Sequence, residues 1–510
     1  QRRSLPEHRP TRLRTAGPLT LVLLVQGLLS LKEHPFASAR EALTLYIGHL
    51  DLLRLAASTA GTPPPTHSMA VTGYLYPLVA GLASYLGGLG GARLVSLAFM
   101  MGATLLVCGT ARRLFGELAG VVASCLFVAA SPTLFFGDVA QYDAMGIFCF
   151  CLAARFAVTS LTRTDWRAVL SPALAGAAAA LCAFTGPAGL LFAPLVGILV
   201  VVATRWPPEP SAGYVVRFAA FVGGAGVSIG ALLGLMPLLE PGVRAYFTRW
   251  RPDTVYGSAV STLGTTFFLI GAALLLAGVA FGLALKTRSN PRTLAVVGVL
   301  LAGSLAGLVY GLALHRGPSL IELDGFALVF AAILGGEAAR HAFTRWKGKA
   351  VIPVVAVVLA VLSFAGATFG LNYNWNSESH LVAQLSTQAR AGAGDYLVFQ
   401  PIVPQYYLDA QTLPTQFVAT TGFDYSQPST GRTLTGRRAY RAAIDDGYFA
   451  LVALPSHSPR ESMSSFLRGA VTASGRYELR SVVAASASQR GWDIWVLAPL
   501  PAAATEGPAK

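Results

Sequence analysis

Long apolar runs alternate with short polar connections along most of the chain. A helix needs about 20 mostly apolar residues to cross roughly 30 Å of hydrocarbon. Apolar runs of roughly that length occur at residues 17–31, 92–111, 118–136, 142–160, 168–184, 188–204, 214–238, 262–285, 293–314, 320–340 and 350–370. The pattern predicts a polytopic α-helical membrane protein with about 11 transmembrane helices.

The pattern changes after residue 371, where apolar runs shrink to strand length. Examples are residues 396–400, 449–454 and 492–497, with polar and helix-like stretches between them. Alternation of this kind predicts a small soluble α/β domain over residues 372–500, following a membrane domain over residues 1–371. Residues 501–510 are rich in Ala and Pro and are predicted to form a flexible tail.

Short basic clusters fall on alternate connections between the apolar runs. Cytoplasmic loops collect Lys and Arg, so this side is predicted to be the cytoplasm, with an N-terminus that is an uncleaved anchor. The other side receives the long first loop 32–91, the connections 134–142, 239–261 and 314–319, and everything after about residue 371. These features predict an integral plasma (cytoplasmic) membrane protein with an extracytoplasmic C-terminal domain.

Composition agrees with a lipid environment. The 510 residues are 54% hydrophobic and only 12% charged, whereas soluble domains carry about 25% charged residues. The net charge of +14 does not indicate nucleic acid as a partner, because the basic residues form no continuous stripe. Membrane lipids are the expected surroundings.

The first external segment carries several chemically competent residues: Arg40, Glu41, Tyr46 and His49. Long loops tend to be functional. Apolar residues between 40 and 51 recur at helical spacing, which predicts a helix lying in the membrane interface with its carboxylates facing water.

The second external connection places Asp138, Tyr142 and Asp143 at the start of a predicted membrane helix. An ionisable group at the hydrocarbon boundary is costly and is a functional-site hypothesis, with helix capping as the alternative. His315, in the connection 314–319, is a further candidate, although a histidine in a turn is more often simply solvated. Glu322 and Asp324, at the outer end of the following predicted helix, are candidates for the same cavity.

External arginines break the positive-inside trend and so need a reason. Arg93, Arg244, Arg249 and Arg316 lie on the external side. A phosphate bound at the outer surface would explain these arginines, because the planar guanidinium binds phosphate oxygens bidentately. The alternative is snorkelling to lipid head groups.

Five segments together carry a resemblance to a known family. They are Glu41-Ala-Leu-x-Leu-Tyr46-Ile-Gly-His49, Tyr76-Pro77-Leu78, Gly91-Ala-Arg93-Leu-Val-Ser96, Arg112-Arg113-Leu-Phe115-Gly116 and Tyr142-Asp143-Ala-Met145. With the single span before the long loop and the polar external C-terminal domain, the chain resembles the polyprenyl-phosphate-dependent GT-C glycosyltransferases. Within that family it is similar to protein O-mannosyltransferases and the lipid A aminoarabinose transferase.

The resemblance implies a sugar donor on polyprenyl phosphate and a lipid, glycan or protein acceptor. It makes Glu41 the general base and Asp143 a second acidic residue of the cavity, with Asp138 beside it. The family commonly has an Asp-Glu pair where this chain has Arg40-Glu41, so Glu33 is a reserve candidate. No cofactor is certain, and a divalent metal, Mg²⁺ or Mn²⁺, is the possible one.

The chemistry needs an activated acceptor hydroxyl and a stabilised leaving phosphate. Direct displacement predicts inversion at the sugar carbon. Two other classes stay open: a transporter or flippase of a lipid-linked substrate, which predicts broken helices or mid-membrane charges, and a transferase-like subunit without catalysis. In the C-terminal domain, Tyr406, Tyr407, Asp424 and Tyr425 are candidates for sugar contacts, with core packing as the alternative.

Overall fold

The computed structural model describes most of the chain in two units. The described residues are 12–31, 36–57, 75–160, 166–205, 212–239, 254–255, 258–287, 289–314, 316–317, 319–345, 378–390, 392–413, 415–420, 422–457, 462–484 and 491–498. We name the units the membrane unit (Gln1–Glu33, Gly48–Ala57 and His67–Tyr373) and the C-terminal unit (His34–Ile47, Ser58–Thr66 and Asn374–Lys510).

Twelve helices precede residue 346 in the described part of the chain. They are α1 (Arg12–Ser30), α2 (Ala39–Ala57), α3 (Leu75–Phe115), α4 (Glu117–Ala129), α5 (Ser131–Asp138), α6 (Tyr142–Ser160), α7 (Arg167–Ala183), α8 (Pro187–Arg205), α9 (Ala212–Leu239), α10 (Ala259–Lys286), α11 (Pro291–Ala313) and α12 (Leu320–Arg345). Residues 39–47 of α2 belong to the C-terminal unit and residues 48–57 to the membrane unit.

Five described helices, or stretches of them, are long and apolar enough to cross a membrane. They are Leu75–Phe115, Tyr142–Ser160, Val215–Gly234, Ala259–Lys286 and Thr293–Ala313. Shorter apolar helices occupy Gly17–Ser30, Arg167–Ala183 and Pro187–Val202. The prediction of a polytopic helical membrane protein is confirmed. The number of spans stays a prediction, and the run 350–370 lies outside the described residues.

The apolar run 118–136 is not one straight helix. It forms α4 and α5, which are bent by 64° at a break and would count as a sixth span if taken together. Ala130 between them is extended, with φ −82° and ψ 142°. Pro132 starts the second helix, since proline is favoured in a first turn, where its missing N–H costs no hydrogen bond.

The described part of the segment 32–91 is also more regular than a loop. It contains α2 and the beginning of α3, whose backbone leaves helical geometry at Gly87 and Gly88. Gly88 has φ 60° and ψ −157°, a conformation that only glycine adopts without strain. Two helical pieces are therefore joined at a glycine pair near residues 87–88.

Glycines let α7 and α9 approach closely. A Cβ atom on Gly176 would lie 1.9 Å from the Phe221 carbonyl oxygen, and one on Gly224 would lie 2.0 Å from the Ala173 carbonyl oxygen. Small residues at a crossing allow backbones to pack directly, which is a main source of helix association in lipid.

The C-terminal unit is built on a five-stranded sheet in the order β4-β3-β7-β9-β8. Its strands are β3 (Asp395–Val398), β4 (Phe417–Ala419), β7 (Phe449–Pro455), β8 (Tyr477–Val483) and β9 (Trp492–Leu497). β3 runs parallel to β4 and β7, while β9 is antiparallel to β7 and β8. A separate antiparallel pair, β5 (Asp424–Ser426) and β6 (Thr433–Thr435), follows β4.

Helices complete this unit: α13 (Ser379–Ser386), α14 (Ile402–Tyr407), α15 (Gly436–Asp445) and α16 (Met463–Ser474). Buried Leu397, Tyr440, Ile444, Val452 and Leu467 join sheet and helices in one core. The predicted small α/β domain is confirmed as a fold. Of the aromatic candidates, Tyr425 belongs to this core.

Adjacent glycines on α9 give a direct test of the helix packing. Gly224→Ala should lower the free energy of unfolding by about 1–3 kcal/mol, because the new methyl group forces the α7 and α9 backbones apart. Gly223→Ala is the control, since a Cβ there meets nothing within 4 Å, and it should be neutral or slightly stabilising. Thermal unfolding of both proteins in detergent measures the difference, and equal melting temperatures would contradict the packing.

Candidate functional site

Three predicted carboxylates of the membrane unit are buried. Asp138 ends α5 and is 8% exposed, Asp143 lies in the first turn of α6 at 2%, and Glu322 lies in the first turn of α12 at 2%. Ionisable groups with so little exposure are uncommon without a partner or a task. Each of the three makes at least one interaction within the structure.

Packing between α5, α6 and α12 brings these carboxylates towards one end of the helices. A Cβ on Gly325 would lie 2.9 Å from the Phe136 ring and 3.0 Å from Ile147, and one on Gly146 would lie 3.1 Å from the Phe326 ring. In a helix, residues three or four apart share a face. Asp143 and Glu322 therefore lie one turn before these contacts, on the faces that α6 and α12 turn towards each other.

The connection between α7 and α8 reaches the same end. A Cβ on Gly186 would lie 2.8 Å from the Tyr142 ring and 3.9 Å from Asp143 Oδ1, and one on Gly146 would lie 2.5 Å from the Thr185 hydroxyl. Tyr142 thus packs on Gly186 beside the Asp143 carboxylate. Composition alone did not single out Thr185 and Gly186, because their position depends on how four helices meet.

Asp324, two residues after Glu322, is completely buried. Neither of its carboxylate oxygens has a hydrogen-bond partner among the described residues, although Thr266 of α10 lies beside it. Leaving a carboxylate buried without hydrogen bonds is unfavourable for folding. This residue therefore adds a further carboxyl group to the acidic end, at a cost in stability.

The predicted phosphate ligands are only partly described. Arg93 is half-buried in α3. Arg316 lies in β2 (Arg316–Gly317), which pairs antiparallel with β1 (Thr254–Val255). This pairing joins the connections 239–261 and 314–319 through their backbones. Arg244, Arg249 and His315 lie outside the described residues, as does the reserve candidate Glu33.

Two of the sequence motifs meet in α3. The Tyr76 hydroxyl and the Ser96 hydroxyl are hydrogen-bonded, and both residues are completely buried. The start of α3 also packs closely on α2, since a Cβ on Gly48 of α2 would lie 2.0 Å from the Pro77 carbonyl oxygen. The His49 ring lies against the Tyr85 ring, with centroids 4.4 Å apart. His49 is 9% exposed, so it is a packed residue in this structure.

In the C-terminal unit, Glu41 takes part in a capping box at the start of α2. Its Oε2 accepts a hydrogen bond of 2.9 Å from the Ser38 N–H, and the Ser38 hydroxyl oxygen accepts one of 3.3 Å from the Glu41 N–H. Glu41 is completely buried. The prediction that this carboxylate faces water was wrong. The Ser-x-x-Glu spacing, which signals such a cap, was present in the sequence and was missed.

The neighbours of Glu41 on α2 differ in exposure. Arg40 is exposed, whereas Tyr46 is 2% exposed. Burial, and secondly the charge of Asp409, raises the pKa of the Tyr46 phenol. Tyr46 is thus a protonated hydroxyl at neutral pH, able to donate a hydrogen bond but not to act as a base.

The three predicted catalytic carboxylates, Glu41, Asp138 and Asp143, do not all belong to one unit. Asp138, Tyr142, Asp143 and Glu322 belong to the membrane unit, whereas Glu41 belongs to the C-terminal unit. Over the described ranges, no three His, Cys, Asp or Glu side chains are grouped to hold a metal ion.

Comparison with known proteins gives matches in structure but not in sequence. No protein-family model matches the chain. No curated protein matches it in sequence either.

Three solved structures share the architecture. ArnT from Cupriavidus metallidurans in the apo state is 15% identical with a TM-score of 0.64, over 93% of this chain and 97% of that one. The oligosaccharyltransferase of Archaeoglobus fulgidus is 10% identical with a TM-score of 0.56, over 94% and 74%. The arabinofuranosyltransferase AftD from Mycobacteria is 15% identical with a TM-score of 0.56, over 94% and 40%. The chain has the GT-C glycosyltransferase fold, as the sequence resemblance implied.

The buried Asp324 offers a test of the acidic end. Asp324→Leu should leave the free energy of unfolding unchanged or raise it by about 1–3 kcal/mol, because an uncompensated buried carboxylate is replaced by an apolar side chain. Thermal unfolding in detergent measures this. A clear loss of stability would show that the carboxylate has a partner that holds the helices together.

Proposed function

We propose that the chain transfers a sugar from a polyprenyl-phosphate donor to an extracytoplasmic acceptor, a lipid, a glycan or a protein. The observation that carries the proposal is the gathering of buried Asp138, Asp143 and Glu322 at one end of the membrane unit. The fold supports it, because ArnT was also solved bound to undecaprenyl phosphate. The Archaeoglobus enzyme was solved with a dolichol-phosphate and an inhibitory peptide.

The reaction forms one bond and breaks one. A carboxylate takes the proton of the acceptor hydroxyl, whose oxygen attacks the anomeric carbon of the sugar. The bond from that carbon to the phosphate oxygen breaks, and the phosphate leaves with the electron pair. Arginine side chains stabilise the charge that builds on it. Attack from the side opposite the phosphate inverts the anomeric carbon.

We assign the base to Glu41 and a second acidic role to Asp143. Glu41→Gln separates chemistry from folding, because Gln also serves as the acceptor in a capping box but cannot take a proton. Glu41→Ala removes both functions. The arginine ligands of the leaving phosphate are assigned to Arg93 and Arg316, with Arg244 and Arg249 in the same role.

Purified full-length variants test this assignment. Glu41→Gln and Asp143→Asn should each slow transfer from a polyprenyl-phosphate sugar by about 10²–10⁴-fold, the usual share of acid–base catalysis. Arg441→Gln, an exposed substitution on α15, is the control and should transfer as fast as the parent. Folded Gln and Asn variants with parental rates would refute the assignment. A parent that binds donor without turnover would indicate a non-catalytic subunit.

A second candidate function, movement of a lipid-linked substrate, is favoured by one observation. The bent pair α4 and α5 is the kind of broken helix found in transporters. The two functions differ in solution, because a transferase makes its product in detergent, where no membrane separates two sides. Product formation there decides for transfer, and lipid movement in vesicles without product decides for transport.

We also propose that the N-terminus is cytoplasmic and the C-terminal unit extracytoplasmic, on the basis of the basic connections. Cysteine labelling tests this, since the five native cysteines lie within membrane helices and four of them are buried. In intact cells a membrane-impermeant maleimide should label Arg441→Cys. It should label Thr287→Cys, exposed after α10, only after permeabilisation. The reverse pattern would invert the topology.

A further inference from the structure

We propose that Tyr407 of the C-terminal unit is a positioning residue that holds the start of α2, and with it the carboxylate of Glu41. The catalytic part of this inference rests on the proposed function. The structural part stands on contacts within the C-terminal unit alone.

Tyr407 contacts the chain immediately before α2 in two ways. The Ala37 N–H donates a hydrogen bond of 2.9 Å to the Tyr407 hydroxyl oxygen. The Phe36 ring stacks on the Tyr407 ring with centroids 4.1 Å apart and planes 23° apart. One side chain therefore fixes both a backbone group and an aromatic ring of the segment that leads into the helix.

The residue after Ala37 connects these contacts with Glu41. Ala37 is followed by Ser38, whose N–H donates to Glu41 Oε2. Tyr407 thus holds one of two consecutive N–H groups, and Glu41 binds the other. If Ala37 were released, the Ser38 N–H would turn, and the Glu41 side chain would lose the contact that selects its rotamer. A base held in one orientation accelerates the reaction more than a base that samples several orientations.

The anchor itself is well supported. Tyr407 is the last residue of α14, in which Ile402, Val403 and Tyr406 are buried. The Tyr406 ring meets the Tyr407 ring edge-on, at 4.9 Å between centroids. Just after α14, Asp409 acts electrostatically on Tyr46, which follows Glu41 on α2. The same part of the C-terminal unit therefore influences α2 on both sides of Glu41.

Hydrogen–deuterium exchange of the full-length protein tests the structural part. Tyr407→Phe keeps the ring but removes the acceptor of the Ala37 N–H, so exchange in residues 36–42 should become about tenfold faster. Tyr407→Leu, which also removes the stacking, should increase it further. Tyr440→Phe is the matched control. It removes a hydroxyl that donates to the Ala419 carbonyl at 2.8 Å and should leave exchange in residues 36–42 unchanged. Unchanged exchange in Tyr407→Phe would overturn the proposal.

Transfer kinetics test the catalytic part. Tyr407→Phe should lower kcat about 3–10-fold at unchanged KM for the donor, because it loosens the base without touching the substrate. In a Glu41→Gln background, Tyr407→Phe should not lower kcat further, because the side chain that Tyr407 positions can no longer take a proton. Equal losses in both backgrounds would overturn the positioning role. Parental rates in Glu41→Gln alone would instead refute the proposed base, and the exchange result would tell the two failures apart.

Discussion

The high cost of placing a carboxylate in hydrocarbon is the constraint on which this structure depends. Most residues of the membrane unit are apolar, and its helices satisfy their own backbone hydrogen bonds. Several of its acidic groups are therefore found where helices begin or end. Asp138, Asp143 and Glu322 all occupy such positions, and the packing of Gly146 and Gly325 draws the helices that carry them together. The same constraint that builds the membrane unit thus leaves Asp138, Asp143 and Glu322 at one end of its helices.

The sequence was a good guide wherever one physical signal dominates. Apolar runs predicted the helices from 142 to 160 and from 293 to 313 within a few residues, because hydrocarbon thickness sets their length. Strand-length runs predicted β7 and β9 almost to the residue. The bend between α4 and α5 was not predicted, since the run 118–136 is apolar throughout and only Pro132 marks the second start. The strand order of the five-stranded sheet could not be predicted from the sequence either, because it depends on pairing between distant segments.

The candidate site was predicted in part. Asp143 and Glu322 were identified as charges at helix starts, and the structure places them on facing sides of α6 and α12. Thr185 and Gly186 were not among the predicted site residues, because their position depends on tertiary packing. For Glu41, the sequence pattern predicted the wrong environment of the carboxylate. Amphipathic spacing suggested a water-facing carboxylate, yet Ser38 three residues earlier captures it in a capping box. Local capping chemistry outweighed the face that periodicity predicted.

In the proposed function, chemistry takes place at the end of the membrane unit where the acidic residues lie. A polyprenyl phosphate carrying a photoactivatable diazirine next to its phosphate, crosslinked to the purified protein and mapped by mass spectrometry, tests this most directly. The account predicts labels within residues 91–96, 138–143, 184–187 and 316–324. Labels concentrated at the opposite helix ends, within residues 109–117, 160–167 and 284–292, would contradict it.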